Sequence, residues 1–294
     1  MADILPKLLN LTLVLFMVGS LLEMGLRLKL GEARGAIRNV RFVVLTLLWS
    51  FVLGPALALL LTKIIPLPEP YALGMLFLGM APCAPFLPKL TERAHGDLPY
   101  VAAFMALTAV GTVVYMPFAV PVLVKGFAAD PWTIAKPLLF FIGIPLVIGV
   151  AVRSAAEALA ERAHPIVKRA TEIDILVLAV LILWMYGKDF LSAVGTYAIG
   201  TQLLYYAVLA AASYGLSFGL PHGQKSVLAL GLYTRNIGAA IAPLLAVSGT
   251  DRRAIVMCTL ATFICLIGGF GAAAVLARFA PAGPSAAAQT GGRT

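Results

Sequence analysis

Long apolar runs, each bounded by a few polar residues, follow one another along almost the whole chain. A helix needs about 20 apolar residues to span a bilayer, and nine stretches qualify, at about 5–26, 42–62, 71–94, 99–124, 133–152, 172–187, 196–220, 226–248 and 254–278. Runs such as LLNLTLVLFMVGSLL and VLALGLYTRNIGAAIAPLLAV lack the alternation of apolar and polar residues that barrel strands need. The pattern therefore predicts an all-α polytopic membrane protein. Residues 1–280 are read as one transmembrane domain, with connections too short for a soluble catalytic domain. The first run is read as a span and not as a removable signal peptide, because eight similar segments follow it. The stretch 281–294, rich in Ala, Gly, Pro and Ser, is read as a disordered cytoplasmic tail.

Composition agrees: 61% of the 294 residues are hydrophobic and 12% charged. The net charge of +9 is explained by orientation, since short cytoplasmic loops carry the excess of Lys and Arg. With the N-terminus outside, fourteen of the 22 basic residues fall in inside loops and seven in outside loops, leaving Arg235 within the eighth span. An N-out, C-in protein of the cell inner membrane is expected. No aromatic-basic patch supports nucleic-acid binding. Cys83, Cys258 and Cys265 fall within spans and form no CxxC pair, so free thiols are expected. His95, His164 and His222 lie in predicted cytoplasmic loops at spacings that suit no shared metal. Without GxSxG, HExxH or a glycine-rich phosphate loop, neither an enzyme nor a cofactor is expected. The tryptophans and most tyrosines, Tyr205 and Tyr206 among them, are read as interface or packing residues.

Two spans break the helical rules in corresponding places. The third contains Ala81-Pro82-Cys83-Ala84-Pro85-Phe86-Leu87-Pro88. Its three prolines leave the carbonyls of Leu78, Ala81 and Ala84 without their helical donors. Such carbonyls must face protein or a water-filled cavity. The eighth span contains Thr234, Arg235 and Asn236 amid apolar residues, with Pro243 beyond. The two spans lie five apart and run in opposite directions, so a five-span unit repeated with inverted topology, lacking its first helix, gives nine. Paired interruptions in opposite halves point to a transport site near the midplane. Two packing kinks are the alternative. A charge near the centre of a span costs at least about 2.5–3.5 kcal/mol, which makes Arg235 the sharpest candidate for substrate or coupling work. Its alternatives are satisfaction by the freed carbonyls or an ion pair with Glu92 or Glu23. Glu172 and Asp174 are expected to open the sixth span, where negative charge meets the positive end of the helix dipole.

These residues resemble the bile acid:sodium symporter-like transporters over nearly the whole chain: Phe16 to Arg41, the mid-span Gly54-Pro55, the segment around Pro82 with Gly96-Asp97, and LYTRNIGAAIAPLL with Asn236 and Gly238 in register. The resemblance implies an inverted-repeat fold in its nine-helix form, with panel and core domains, two broken helices that cross, and uptake of an organic anion by alternating access. It also implies oxygen ligands for sodium, and there this sequence departs. The Ser-Asn positions of the first crossing helix are Leu87 and Pro88, and the Glu and Gln positions of the second are Gly231 and Arg235. A guanidinium supplies fixed positive charge where a cation would sit.

The expected function is secondary transport of a small organic anion across the bilayer, with sodium or protons as possible coupling ions. Arg235, Asn236, Thr234, Cys83, Pro82, Pro85 and Pro88 are the expected substrate-binding residues, and no metal is expected among them. Alternatives are an arsenite-type efflux carrier drawn to Cys83 and a non-transporting membrane sensor or assembly subunit.

Overall fold

The computed structural model describes residues 4–124, 127 and 129–281, so most of the predicted tail lies outside the described residues. Twelve helices follow one another among them: α1 (Ile4–Arg27), α2 (Leu30–Arg38), α3 (Val40–Ile64), α4 (Glu69–Met80), α5 (Leu87–Arg93), α6 (Leu98–Leu123), α7 (Pro131–Ala155), α8 (Glu157–Ala193), α9 (Ala198–Gly215), α10 (His222–Tyr233), α11 (Ile237–Ala246) and α12 (Arg252–Ala277). Five of these, α1, α3, α6, α7 and α12, are long and apolar enough to cross a membrane. Large apolar side chains such as Val114, Phe118, Val147, Leu176, Trp184 and Ile267 face outward from the bundle, as a surface solvated by lipid tails allows. The third and eighth predicted spans are each two helices, α4 with α5 and α10 with α11.

The helix that contains the sixth predicted span starts well before Glu172, which corrects the expectation that Glu172 and Asp174 open it. Helix α8 begins at Glu157 and runs 37 residues to Ala193, taking in most of a predicted cytoplasmic loop. Residues 157–170, EALAERAHPIVKRA, are too polar to register as a span, yet Ala, Glu, Leu, Lys and Arg are strong helix formers. Glu172 and Asp174 therefore lie well inside the helix, and no dipole at a helix start explains them. Glu172 pairs with Lys89 of α5 at 2.7 Å, while Asp174 Oδ2 is buried without a hydrogen-bond partner among the described residues.

Helix α1 packs along α7 and α8, α4 along α3 and α12, and α9 along α10. The α1–α7 approach depends on two facing glycines. A Cβ on Gly25 would lie 2.6 Å from the Leu146 carbonyl oxygen, and one on Gly149 would lie 2.6 Å from that of Leu22. Close contact of this kind is how helices associate where lipid removes the hydrophobic drive. Both α3 and α7 widen into a π turn, at Trp49–Leu53 and Leu139–Gly143, just ahead of Pro55 and Pro145. A proline cannot donate to the preceding turn, and the wider turn absorbs that loss.

Candidate functional site

The two interruptions meet. Between α4 and α5, residues 81–84 run antiparallel to residues 234–236, with an isolated β-bridge pairing Pro82 and Arg235. The Cys83 N–H donates to the Thr234 carbonyl at 2.9 Å, and the Asn236 N–H donates to the Ala81 carbonyl at 2.9 Å. The Ala84 N–H adds a third link, donating to Thr234 Oγ1 at 3.1 Å. Each carbonyl that the prolines orphan finds a donor. The Leu78 carbonyl accepts from Ala81 N–H, that of Ala81 from Asn236 N–H, and that of Ala84 from Leu87 N–H. To reach this geometry Cys83 adopts φ 73°, a left-handed conformation that costs a side-chain-bearing residue about 1–2 kcal/mol. Asn236 caps α11, its Oδ1 accepting from Ala239 N–H at 3.0 Å.

Arg235 is 1% exposed. One Nη2–H donates to the Leu232 carbonyl at 2.9 Å, while Nε and Nη1 have no hydrogen-bond partner among the described residues. The guanidinium carbon stands 4.9 Å from the Tyr205 ring centre and 5.9 Å from that of Tyr206. Those rings are anchored: Tyr205 OH donates to the Gly54 carbonyl at 3.2 Å, Tyr206 OH to Gln202 Oε1 at 3.4 Å, and Gln202 Nε2 to the Met257 carbonyl at 2.7 Å. None of the described Asp or Glu oxygens lies within 4.0 Å of the guanidinium. This corrects the ion-pair alternatives, because the chain places Glu92 and Glu23 away from the crossing. Glu23 lies 3.7 Å from His164 Nε2. That contact is weak as an ion pair, since burial and the nearby Arg27, Lys168 and Arg153 push the His164 pKa down and favour the neutral ring.

The expected binding residues divide between two recesses flanking the crossing. Pro82, Cys83, Pro85 and Asn236 line one, together with Ser20 and Thr108. Arg235 and Pro85 line the other, between Phe16 of α1, Ile175 and Leu178 of α8, and Cys265 of α12. Arg235 and Asn236, neighbours in the chain, thus open onto different recesses. Thr234 and Pro88 line neither: Thr234 braces the bridge, and Pro88 sits in the first turn of α5. Each recess has about 20 Å³ of free space, room for about one water. The conformation is closed around the crossing.

Three features escape the sequence reading. Tyr205 and Tyr206 cage the guanidinium, and the pattern Gln202 followed by two tyrosines in an apolar helix was their signal. Phe104 of α6 fills the space beside Gly231, where any Cβ would collide with its ring. Finally, α8 is tied to its neighbours at both ends of the crossing, by Lys89–Glu172 at 2.7 Å and by Arg252–Asp189 at 2.9 Å. The two acidic residues are 17 positions apart, about 25 Å along a helix. Between them lie the α8 residues that close the recess over Arg235.

Residues 12–193 match the Sodium Bile acid symporter family, well over half of the chain. The protein belongs to that family. Its members are transporters, which makes this an integral membrane protein with a solute as cargo. The matched stretch includes the first interruption and stops short of the second, so Arg235 lies beyond it. No curated protein matches the chain.

Proposed function

We propose that the protein is a secondary transporter of a small organic anion, working by alternating access across a nine-span inverted repeat with its N-terminus outside and C-terminus inside. The carrying observation is the Arg235 guanidinium, buried at the meeting of two broken helices, with two of its three nitrogens lacking a partner among the described residues. A guanidinium offers donors in a rigid fork that suits a carboxylate or sulfonate. Contacts between loops assigned to one side support the topology. Asp97 N–H donates to the Gly223 carbonyl, and Asn39 Nδ2 to Tyr100 and Gln224, all on the inner side, while Asp189 meets Arg252 on the outer side. The cell inner membrane is the expected location.

Sodium is not the coupling ion in this reading. The positions that the family resemblance assigns to sodium ligands hold Leu87, Pro88, Gly231 and Arg235. Leu87 is buried, Phe104 packs against Gly231, and a fixed cation stands at 235.

Uptake of labelled organic acids into proteoliposomes, with and without sodium and with and without a proton gradient, tests the proposal. Arg235→Ala should abolish binding in purified, folded protein, and Arg235→Lys should weaken it. Unchanged affinity in the alanine variant would remove Arg235 from the site.

Arsenite efflux is the second reading, and one contact favours it: Met24 and Met105 line the same recess as Cys83. Only one thiol faces that recess, however, and thioethers are weaker partners than thiolates for trivalent arsenic. Arsenite uptake by everted vesicles, lost in Cys83→Ser, would favour this reading over the first.

A further inference from the structure

We propose that the transporter is an obligatory exchanger: it trades one organic anion for another across the membrane and moves almost none in net flux. The inference rests on the reading of Arg235 as the anion site and concerns the half of the cycle in which the carrier returns.

The argument is one of charge. A guanidinium is not deprotonated in proteins, so a carrier that closes around Arg235 closes around a full positive charge. In the closed arrangement that charge is 1% exposed. The polypeptide compensates it only in part. One carbonyl accepts from Nη2, two tyrosine rings face it, and Nε and Nη1 have no acceptor among the described residues. None of the described acidic groups pairs with the guanidinium: Glu172 is held by Lys89 and Asp189 by Arg252, and Asp174, beside Ile175 on α8, forms no ion pair with it. The remaining lining of the recess on that side, from Phe16, Ile175, Leu178 and Cys265, offers no formal negative charge.

Closing over an uncompensated charge is costly, because hydration is removed and nothing of equal strength replaces it. An anion on the guanidinium supplies the missing charge. The loaded carrier can therefore pass through the closed state with little penalty, whereas the carrier with its charge unanswered passes slowly. A coupling cation would not help, since the site already holds one. Influx of one anion then has to wait for efflux of another.

The test uses purified protein in proteoliposomes, with potassium on both sides and valinomycin present so that no membrane potential builds up. Vesicles are loaded either with buffer or with one of five unlabelled probes, namely acetate, pyruvate, 2-oxoisovalerate, benzoate or methanesulfonate, and uptake of the same labelled acid is followed. An inward sodium gradient is imposed in a parallel set. For every probe that moves, uptake into preloaded vesicles should exceed uptake into empty ones by at least about tenfold, with or without sodium. Arg235→Lys keeps the buried charge and should lower both rates while leaving their ratio high; a ratio close to one in that variant would overturn the proposal. Net uptake into empty vesicles as fast as exchange would overturn the proposal while leaving the anion reading standing. Failure of all five probes in both modes would overturn that reading, and this inference with it.

Discussion

The ring of Phe104 occupies the space that a side chain on Gly231 would need. Helices α6 and α10 meet there without room for a methyl group. Gly231→Ala should therefore destabilise the protein by about 1–3 kcal/mol, the usual cost of overpacking a core. Phe104→Leu in the same chain should recover most of the loss, because it vacates the clash. Thermal unfolding in detergent measures both. A Gly231→Ala variant as stable as the parent would mean that the α6–α10 contact is looser than described.

The same contact bears on sodium. Uptake of any transported acid should be flat as sodium is varied at constant ionic strength. A sigmoidal dependence with a Hill coefficient near two would show that oxygen ligands have been missed around the crossing.

Tyr205 offers a way to separate the two forces on the guanidinium. Tyr205→Phe keeps the ring over Arg235 and loses only the bond to the Gly54 carbonyl, which should cost about 0.5–1.5 kcal/mol of stability. Tyr205→Leu removes the ring as well. It should lower stability further, by an amount within the range of about 0.5–2 kcal/mol for a cation over an aromatic face, and should alter anion affinity more than the phenylalanine variant does. Equal effects from the two variants would remove the cation–π contact from the account.

The pairs Lys89–Glu172 and Arg252–Asp189 have half-exposed side chains, so each is worth only about 0–1 kcal/mol to stability. Their effect should appear in access instead. Glu172→Gln should increase labelling of a cysteine placed near Pro85 by an inside thiol reagent, and Asp189→Asn should increase labelling by an outside one. If both variants leave labelling unchanged from either side, the pairs do not restrain opening.

Asp251 caps α12, accepting from the Arg253 backbone N–H at 2.8 Å and from the Arg253 side chain. Those bonds, the side-chain one first, hold its pKa below the ordinary carboxylate value. The stabilisation is therefore complete above the unfolded carboxylate pKa and is lost as the pH falls through the lowered folded value. Asp251→Ala should cost about 0.5–2 kcal/mol at neutral pH and progressively less in acid. A penalty independent of pH would show that the charge plays no part.

Much of this arrangement is legible in the chain because prolines and a buried charge are loud signals. The spacing of Pro82, Pro85 and Pro88 forces a break, and no apolar span carries an arginine without a reason. What the sequence hides is contact at a distance. Nothing local to Gly231 announces Phe104, 127 positions earlier, and nothing around Tyr205 says which cation it will face. The start of α8 is hidden for a different reason. Hydropathy measures affinity for lipid, and residues 157–170 are helical without being apolar. The division of Arg235 and Asn236 between two recesses is likewise invisible, since it follows from the extended backbone at the bridge, which turns successive side chains to opposite faces.

The bridge between residues 81–84 and 234–236 is made mostly of peptide groups, and peptide groups are blind to side-chain identity. The joint between the two halves of the protein can therefore persist while the chemistry displayed on it changes. A polar amide or a guanidinium at 235 leaves the Pro82 pairing and the Cys83 and Asn236 hydrogen bonds alike. One point change can in this way alter the charge buried at the crossing without dismantling the scaffold that carries it, and cargo and coupling can diverge along a lineage faster than architecture does.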